Sequence, residues 1–166
     1  MSAVPQSAAD APLVETRREG PIVTLTLNRP AQFNALSEGL MGALQAALDR
    51  VAADATARVV ILAAAGKAFC AGHDLREMRA EPSHDYYQTL FAQCAKMMMT
   101  IQRMPQPVIA RVHGIATAAG CQLVAMCDLA VASEDAKFAV SGVNLGLFCS
   151  TPSVPLSRNV SRKTAF

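Results

Sequence analysis

No run of basic residues in this chain is longer than the pair Arg17-Arg18, and the net charge is only +2, with acids and bases interspersed. A nucleic-acid groove or an anionic membrane surface needs a concentrated positive footprint, so neither partner is expected. There is no C-x-x-C spacing. The five cysteines, Cys70, Cys94, Cys121, Cys127 and Cys149, are odd in number and scattered. Such a set builds neither a disulfide framework nor a zinc site, so no metal is expected and a reducing compartment fits. No apolar run approaches the length of a membrane span. The first twenty residues lack the apolar core of a secretory signal, and they carry Asp10, Glu15 and Glu19, acids that a mitochondrial presequence avoids. A cytoplasmic protein is the expectation.

What is present is globular. At 166 residues, 52% hydrophobic and 17% charged, the chain has the size and composition of one domain with a real core. Residues 1–13, rich in Ala, Ser and Pro, predict a mobile leader before a domain over 14–166. Residues 21–27 alternate as a strand that stops at Asn28-Arg29-Pro30. Ser37 is a candidate N-cap for a helix whose buried face is Leu40, Met41, Leu44, Leu48 and Val51. The apolar run 58–62 reads as a buried strand. Tyr87, Leu90, Phe91, Cys94, Met97, Met98 and Ile101 have helical spacing, and Pro105 and Pro107 end that helix. Its methionines suit core packing better than a soft binding groove. A strand over 107–112, a helix through 121–127 and a strand over 129–132 follow. Strands alternating with helices make the class α/β.

Two turns of small residues stand out. The first runs Phe69-Cys70-Ala71-Gly72-His73-Asp74 and enters a helix, with Asp74 and Glu77 at capping-box spacing. The second, Gly114-Ile115-Ala116-Thr117-Ala118-Ala119-Gly120-Cys121, also lies between a strand and a helix. Each alone reads as close packing. Together they offer two backbone N–H groups to an anion, which is what a thioester enolate requires. The second turn also admits a rival. Gly114, Ala116 and Ala119 occupy the glycine positions of a dinucleotide fingerprint, and Glu134 stands where a ribose-binding acid would. Alanine at the middle position argues against it, because a side chain there keeps the pyrophosphate away from the backbone.

Asn28-Arg29-Pro30…Asn34-Ala35-Leu36, Phe69-Cys70-Ala71-Gly72-His73-Asp74-Leu75, Pro107-Val108-Ile109-Ala110 and Ala119-Gly120-Cys121…Cys127-Asp128-Leu129 occur in the order of one family. From about Val14 onward the chain resembles the crotonase (enoyl-CoA hydratase/isomerase) superfamily. The blocks Ala119–Val124 and Gly142–Pro152 narrow the resemblance to one subgroup within it. The resemblance implies a spiral of β-β-α turns and a coenzyme A thioester as substrate, with no bound cofactor and no metal. It implies oxyanion-hole N–H groups at His73 and Ala119, and a CoA cleft lined by the backbone of Ala71, Gly72, His73, Asp74, Leu75 and Arg76. Roles in fatty acid metabolism and a homotrimer, or a dimer of trimers, for a full-length form are implied as well.

The chain also departs from the family. The two positions that carry glutamates in hydratases hold Gln122 and Gly142. Glutamine orients a water but takes no proton at neutral pH, and glycine offers no side chain. A non-catalytic acyl-CoA binder is therefore a second reading. Ser150 occupies a position where some members place an aspartate, yet Ser150-Thr151-Pro152 also reads as a helix cap. The imidazole of His73 reads as a bystander to its own backbone, and Cys149 and His113 read as structural. The chain stops at Phe166 where the family continues into a helical region, so only the N-terminal core of the spiral is expected. Leu90, Phe91, Met97 and Met98 are expected to face the absent part.

Overall fold

A computed structural model describes residues 11–165. Most of the expected leader, residues 1–10, lies outside the described residues. Its last two residues are held: the Pro12 carbonyl accepts from Asn28 Nδ2 at 3.1 Å, and the Leu13 carbonyl accepts from the Asn28 N–H at 2.8 Å.

The chain then forms a hairpin that the sequence pattern did not predict in full. β1 (Val14–Glu19) reads VETRRE and is almost wholly exposed, so it carries no alternation of apolar and polar faces. It pairs antiparallel with β2 (Ile22–Leu27), and Gly20 supplies the positive φ of the turn. Arg18 ties this polar edge to the rest by bonding Asp54 and the Thr56 hydroxyl. β2 buries Val23, Leu25 and Leu27, the expected alternate face.

α1 (Glu38–Ala52) starts at Ser37, whose hydroxyl accepts the Leu40 N–H at 3.1 Å. Its five predicted apolar positions are all buried. β3 (Val59–Ala64) continues the sheet, followed by α2 (Leu75–Ala80) and α3 (His84–Arg103). α3 stops where Met104 turns extended, because the Pro105 ring that follows disfavours helical φ/ψ there. β4 (Val108–Val112), β5 (Ile115–Thr117), α4 (Ala119–Ala125), β6 (Leu129–Ala132) and β7 (Lys137–Ala139) follow. A 3₁₀ turn over Ser141–Leu145 then leads to α5 (Ser150–Asn159) and α6 (Arg162–Ala165).

The main sheet has the order β1-β2-β3-β4-β6, parallel from β2 onward, and β5 pairs parallel with β7 in a second sheet of two strands. Crossing from the first sheet to the second and back is what turns the chain into a spiral. Three-residue strands such as β5 and β7 are too short to show a period in sequence.

The core lies between the main sheet, α1 and α3. Met97 and Met98 are fully buried with Leu90, Cys94 and Ile101, so the methionines do pack the core. This corrects the expectation that Leu90, Met97 and Met98 wait for further chain; of that group only Phe91 is exposed. The exposed apolar surface is elsewhere. Leu129 and Val131 of the edge strand β6 are 63% and 64% exposed, and Leu147 and Phe148 are 61% and 76% exposed.

An edge strand with large apolar side chains and unpaired backbone groups invites association. The 166-residue chain is predicted to self-associate at micromolar concentration, and Leu129→Lys with Val131→Glu to reduce that association. Sedimentation velocity across a concentration series checks this; a monodisperse monomer for the unaltered chain rejects it.

Candidate functional site

The first small-residue turn is laced to β5. The N–H groups of Phe69 and Cys70 both donate to the Ile115 carbonyl at 2.9 and 3.1 Å, and the Thr117 N–H donates to the Cys70 carbonyl at 3.0 Å. Burial pushes the Cys70 thiol up to about 12, so no thiolate nucleophile sits here. The Ala71 N–H donates to the Phe33 carbonyl at 3.1 Å. Gly72 takes φ +91°, a conformation that favours glycine, and its carbonyl accepts the Leu36 N–H at 2.7 Å. Asp74 donates its own N–H to the Leu36 carbonyl at 3.1 Å. Between these two bonds the His73 N–H is left without an acceptor among the described residues.

The second turn follows the same logic. Ala118 precedes α4 with φ 50° and ψ −123°, a strained conformation for a residue with a Cβ, and its N–H is held by the Ala139 carbonyl at 2.9 Å. That bend starts the helix at Ala119, whose N–H likewise has no acceptor among the described residues.

The two turns touch because they lack side chains. A Cβ on Gly72 would lie 3.0 Å from the Ala118 Cβ and 3.3 Å from the Ala119 nitrogen. A Cβ on Gly120 would lie 2.1 Å from the Cys70 carbonyl oxygen. The structure therefore brings the Gly72–His73 peptide beside the Ala119 N–H, with two free donors on adjoining turns.

The other expected residues divide. Asp74 is buried and serves structure: its carboxylate takes the Arg29 guanidinium at 2.6 Å and caps α2 through the Arg76 N–H at 2.9 Å. Burial alone would raise its pKa, but these hydrogen bonds and the Arg29 charge hold it below the usual carboxylate range. The predicted capping box is only half formed. Glu77 reaches away from Asp74 and accepts the Glu38 N–H at 2.9 Å, capping α1 instead. Leu75 and Arg76 are exposed on the first turn of α2.

The His73 ring meets Phe91 edge-on, with centroids 5.2 Å apart, and its Nδ1 is buried without a partner. Desolvation lowers its pKa, so the ring is neutral at pH 7. Gln122 is buried one helical turn beyond Ala119, and its Oε1 has no partner. Gly142 is not an open place for a side chain. A Cβ there would lie 2.6 Å from Cys149 Sγ and 2.8 Å from the Leu147 carbonyl oxygen. Ser150 is exposed and is the first residue of α5. Cys149 stands at the N-cap position, and no side chain caps that helix, which corrects the cap reading. His113 is structural as expected, its Nε2 on the Gly66 carbonyl at 2.8 Å.

The dinucleotide alternative fails on topology. Gly114 leads into strand β5 rather than a helix, and its small size serves packing, since a Cβ there would lie 2.3 Å from the Lys67 carbonyl oxygen. Ala116 is fully buried within β5. Pattern reading also assigned no role to Asn34, although it lay in a quoted block. Fully buried, it donates to the Ala65 and Ala68 carbonyls at 2.8 and 2.9 Å and accepts the Arg29 N–H at 2.8 Å, joining the loop before α1 to the loop after β3. Thr117 and Ser141 share a hydroxyl hydrogen bond of 2.7 Å beside the second turn. A cleft of about 620 Å³ between α4, β6 and α5 holds none of the expected site residues, so the candidate site rests on the turns and not on this cleft.

Residues 17–165 match the family described as Enoyl-CoA hydratase/isomerase. The chain is similar to enoyl-CoA hydratase domain-containing protein 3, mitochondrial, of Xenopus laevis, with 51% identity over 154 residues, 93% of this chain and 52% of that protein. It is also similar to 2,3-dehydroadipyl-CoA hydratase of Escherichia coli, with 36% identity over 130 residues, 78% of this chain and 50% of that protein. A solved enoyl-CoA hydratase of Mycobacterium smegmatis matches with TM-score 0.92 and 68% identity, over 94% of this chain and 61% of that one. The human enoyl-CoA hydratase domain-containing protein 3 matches with TM-score 0.88 and 46% identity, over 92% and 60%. The chain spans about half the length of the curated relatives it matches. The expected crotonase-like spiral and the subgroup resemblance are borne out. The name of the Xenopus protein includes mitochondrial, in conflict with the cytoplasmic location expected for this chain.

Gly120 is the most exacting position of the site. Gly120→Ala is predicted to destabilise the fold by about 1–3 kcal/mol through overpacking against Cys70. Ala118→Gly is predicted to stabilise it by about 1 kcal/mol by relieving positive φ. Paired chemical denaturation curves check both signs; a Gly120→Ala chain as stable as the parent shows that the turns do not touch.

Proposed function

This chain belongs to the enoyl-CoA hydratase/isomerase family, and from that premise we propose that it binds an acyl-CoA thioester with the carbonyl oxygen between the N–H groups of His73 and Ala119. The observation that carries the reading is the pair of free N–H groups on two turns in backbone contact. Donors fixed before the substrate arrives stabilise the negative charge that develops on a thioester oxygen, and one such donor is worth ~10²–10³ in rate. The backbone of Ala71, Gly72, His73, Asp74, Leu75 and Arg76 lines the CoA side of the cleft in this reading. Coenzyme A arrives as part of the substrate, and no metal or resident cofactor takes part.

Proton transfer is where the reading departs from an ordinary hydratase. Gln122 and Gly142 replace two carboxylates, and positioned acid–base groups contribute ~10²–10⁴-fold each. An enolate-stabilising lyase or isomerase with weak hydratase activity is favoured. A binder that holds the thioester without turning it over is the second reading. It is supported by the crowding at Gly142, where even a Cβ meets the Leu147 carbonyl. The metabolic setting in this reading is fatty acid metabolism. Assembly of a full-length form as a homotrimer, or a dimer of trimers, belongs to the same proposal. All five cysteines are free thiols, which a reducing compartment preserves, whether cytoplasm or mitochondrial matrix.

Calorimetry is expected to register acetyl-CoA and not NADH; the reverse result rejects the thioester reading. Hydration of crotonyl-CoA is expected at least ~10²-fold below that of a hydratase carrying both glutamates, read as loss of enoyl absorbance. His73→Ala keeps the backbone donor and is expected to retain ester binding, whereas Ala119→Val crowds the carbonyl and weakens it. Loss of binding in His73→Ala alone would assign the role to the imidazole.

A further inference from the structure

Ala118 takes φ 50° and ψ −123°, the values of the first central residue of a type II′ turn, a place that glycine ordinarily fills. Phe33 also has a positive φ, but at φ 51° and ψ 35° it lies in the small left-handed region allowed to L-residues. Ala118 lies outside that region. Its strain bears directly on the proposed site, because the Ala119 N–H belongs to the planar Ala118–Ala119 peptide. Rotating ψ at Ala118 turns that plane and re-aims the donor.

Three backbone bonds hold the bend. The Thr117 N–H donates to the Cys70 carbonyl at 3.0 Å, the Ala118 N–H donates to the Ala139 carbonyl at 2.9 Å, and the Ala118 carbonyl accepts the Gln122 N–H at 3.0 Å. The ladder behind them is short. β5 and β7 pair over three residues and end at Thr117 opposite Ala139, after which the chain enters the largely exposed turn Ser141–Leu145. Residues at the end of so short a ladder open most readily. One side-chain bond closes that end: the Thr117 and Ser141 hydroxyls, both on half-buried residues, meet at 2.7 Å. Thr117 is the only residue of the stretch 115–120 whose side chain carries a polar atom. Among the described residues neither hydroxyl has a second partner, so the bond acts on this turn alone.

We propose that Thr117 and Ser141 are positioning residues: their hydroxyl bond holds Ala118 in its strained conformation and so keeps the Ala119 N–H aimed at the thioester carbonyl. The inference rests on the placement of that carbonyl between His73 and Ala119. A strained residue relaxes unless its surroundings over-determine it, and at this turn the hydroxyl bond is the restraint that a side chain supplies. Without it, Ala118 is free to fall back to a negative φ, and the donor turns away.

Calorimetric titration of whole 166-residue chains with acetyl-CoA tests this, together with the carbonyl stretch of bound, isotope-labelled acetyl-CoA read by difference infrared spectroscopy. Hydrogen bonds from both donors lower the stretch below that of the free ester. Ser141→Ala and Thr117→Val are each expected to weaken binding about tenfold, the scale of one hydrogen bond, and to move the stretch back toward the free ester. Ser141→Thr keeps a hydroxyl and is expected to preserve both readings. Glycine adopts the Ala118 conformation without strain. In an Ala118→Gly chain, the further change Ser141→Ala is therefore expected to alter affinity and stretch little. Unchanged affinity and stretch in Ser141→Ala and Thr117→Val overturn the clamp and leave the thioester reading intact. A loss of equal size in the Ala118→Gly background overturns the positioning role, because glycine does not spare a hydroxyl that touches the ligand itself. Absence of acetyl-CoA binding by the unaltered chain overturns the thioester reading and this inference with it.

Discussion

The backbone of Gly120 rests on the carbonyl oxygen of Cys70, and the arrangement of the site depends on that approach. A Cβ at Gly120 would stand 2.1 Å from the oxygen, so α4 reaches the first turn only because the residue has no side chain. The bonds that lace Phe69 and Cys70 to Ile115, and Thr117 to Cys70, presuppose the same spacing. Move α4 outward by a methyl group and the Ala119 N–H leaves the neighbourhood of His73. The strained Ala118 is the other half of this constraint. Its φ of 50° bends the chain sharply enough to begin a helix directly over the first turn, and the pairing of β5 with β7 holds it there through the Ala139 carbonyl. Strain of this kind persists only when the surroundings over-determine the conformation.

The first turn needs an equal restraint from the other side, and it comes from polar groups in the loop before α1. Asn34 and Arg29 supply it. Asn34 joins its own loop to the loop after β3 with three hydrogen bonds and no exposure to water. Arg29 pairs with Asp74 at 2.6 Å and also donates to the Ala35 carbonyl at 3.1 Å. A half-buried ion pair of this kind adds little net stability over apolar packing, but removing one partner leaves an uncompensated charge, at a cost of about 3–5 kcal/mol when burial is complete. Its function is therefore positional: it sets where α2 begins, and with it the path of the chain through Gly72 and His73. Glu77 extends the restraint by capping α1 rather than its own helix. Two helices and a loop thus share their end groups around one turn.

Much of this was legible in the residues, for reasons that differ by element. α1 and α3 show their buried faces because helical spacing repeats over four or five turns, long enough for the pattern to exceed chance. β1 was not legible, since a polar edge strand held by Arg18 has no buried face to reveal it. β5 and β7 span three residues each and carry no period at all. The two glycine turns were visible as turns, but their contact was not. It joins residues nearly fifty positions apart and depends on what Gly72 and Gly120 lack. The same blindness applies at Gly142. The sequence reports a missing carboxylate there, while the structure reports that Cys149 and Leu147 already occupy the space. The partner of Glu77 was misread because capping-box spacing says nothing about a second helix start nearby.

Backbone donors and side-chain acids respond differently to substitution, and that difference makes the chain physically coherent. An N–H group survives any replacement except proline, so a site built on the His73 and Ala119 N–H groups is set by space and backbone conformation rather than by residue chemistry. The residues that must be retained are then the small ones: Gly72 and Gly120 for contact, and Ala119 for room at the donor. Acid–base catalysis instead needs a particular carboxylate with a particular pKa, and one replacement removes it. In the proposed reading, a chain carrying Gln122 and Gly142 can therefore lose proton transfer while the thioester geometry set by the two turns stays intact.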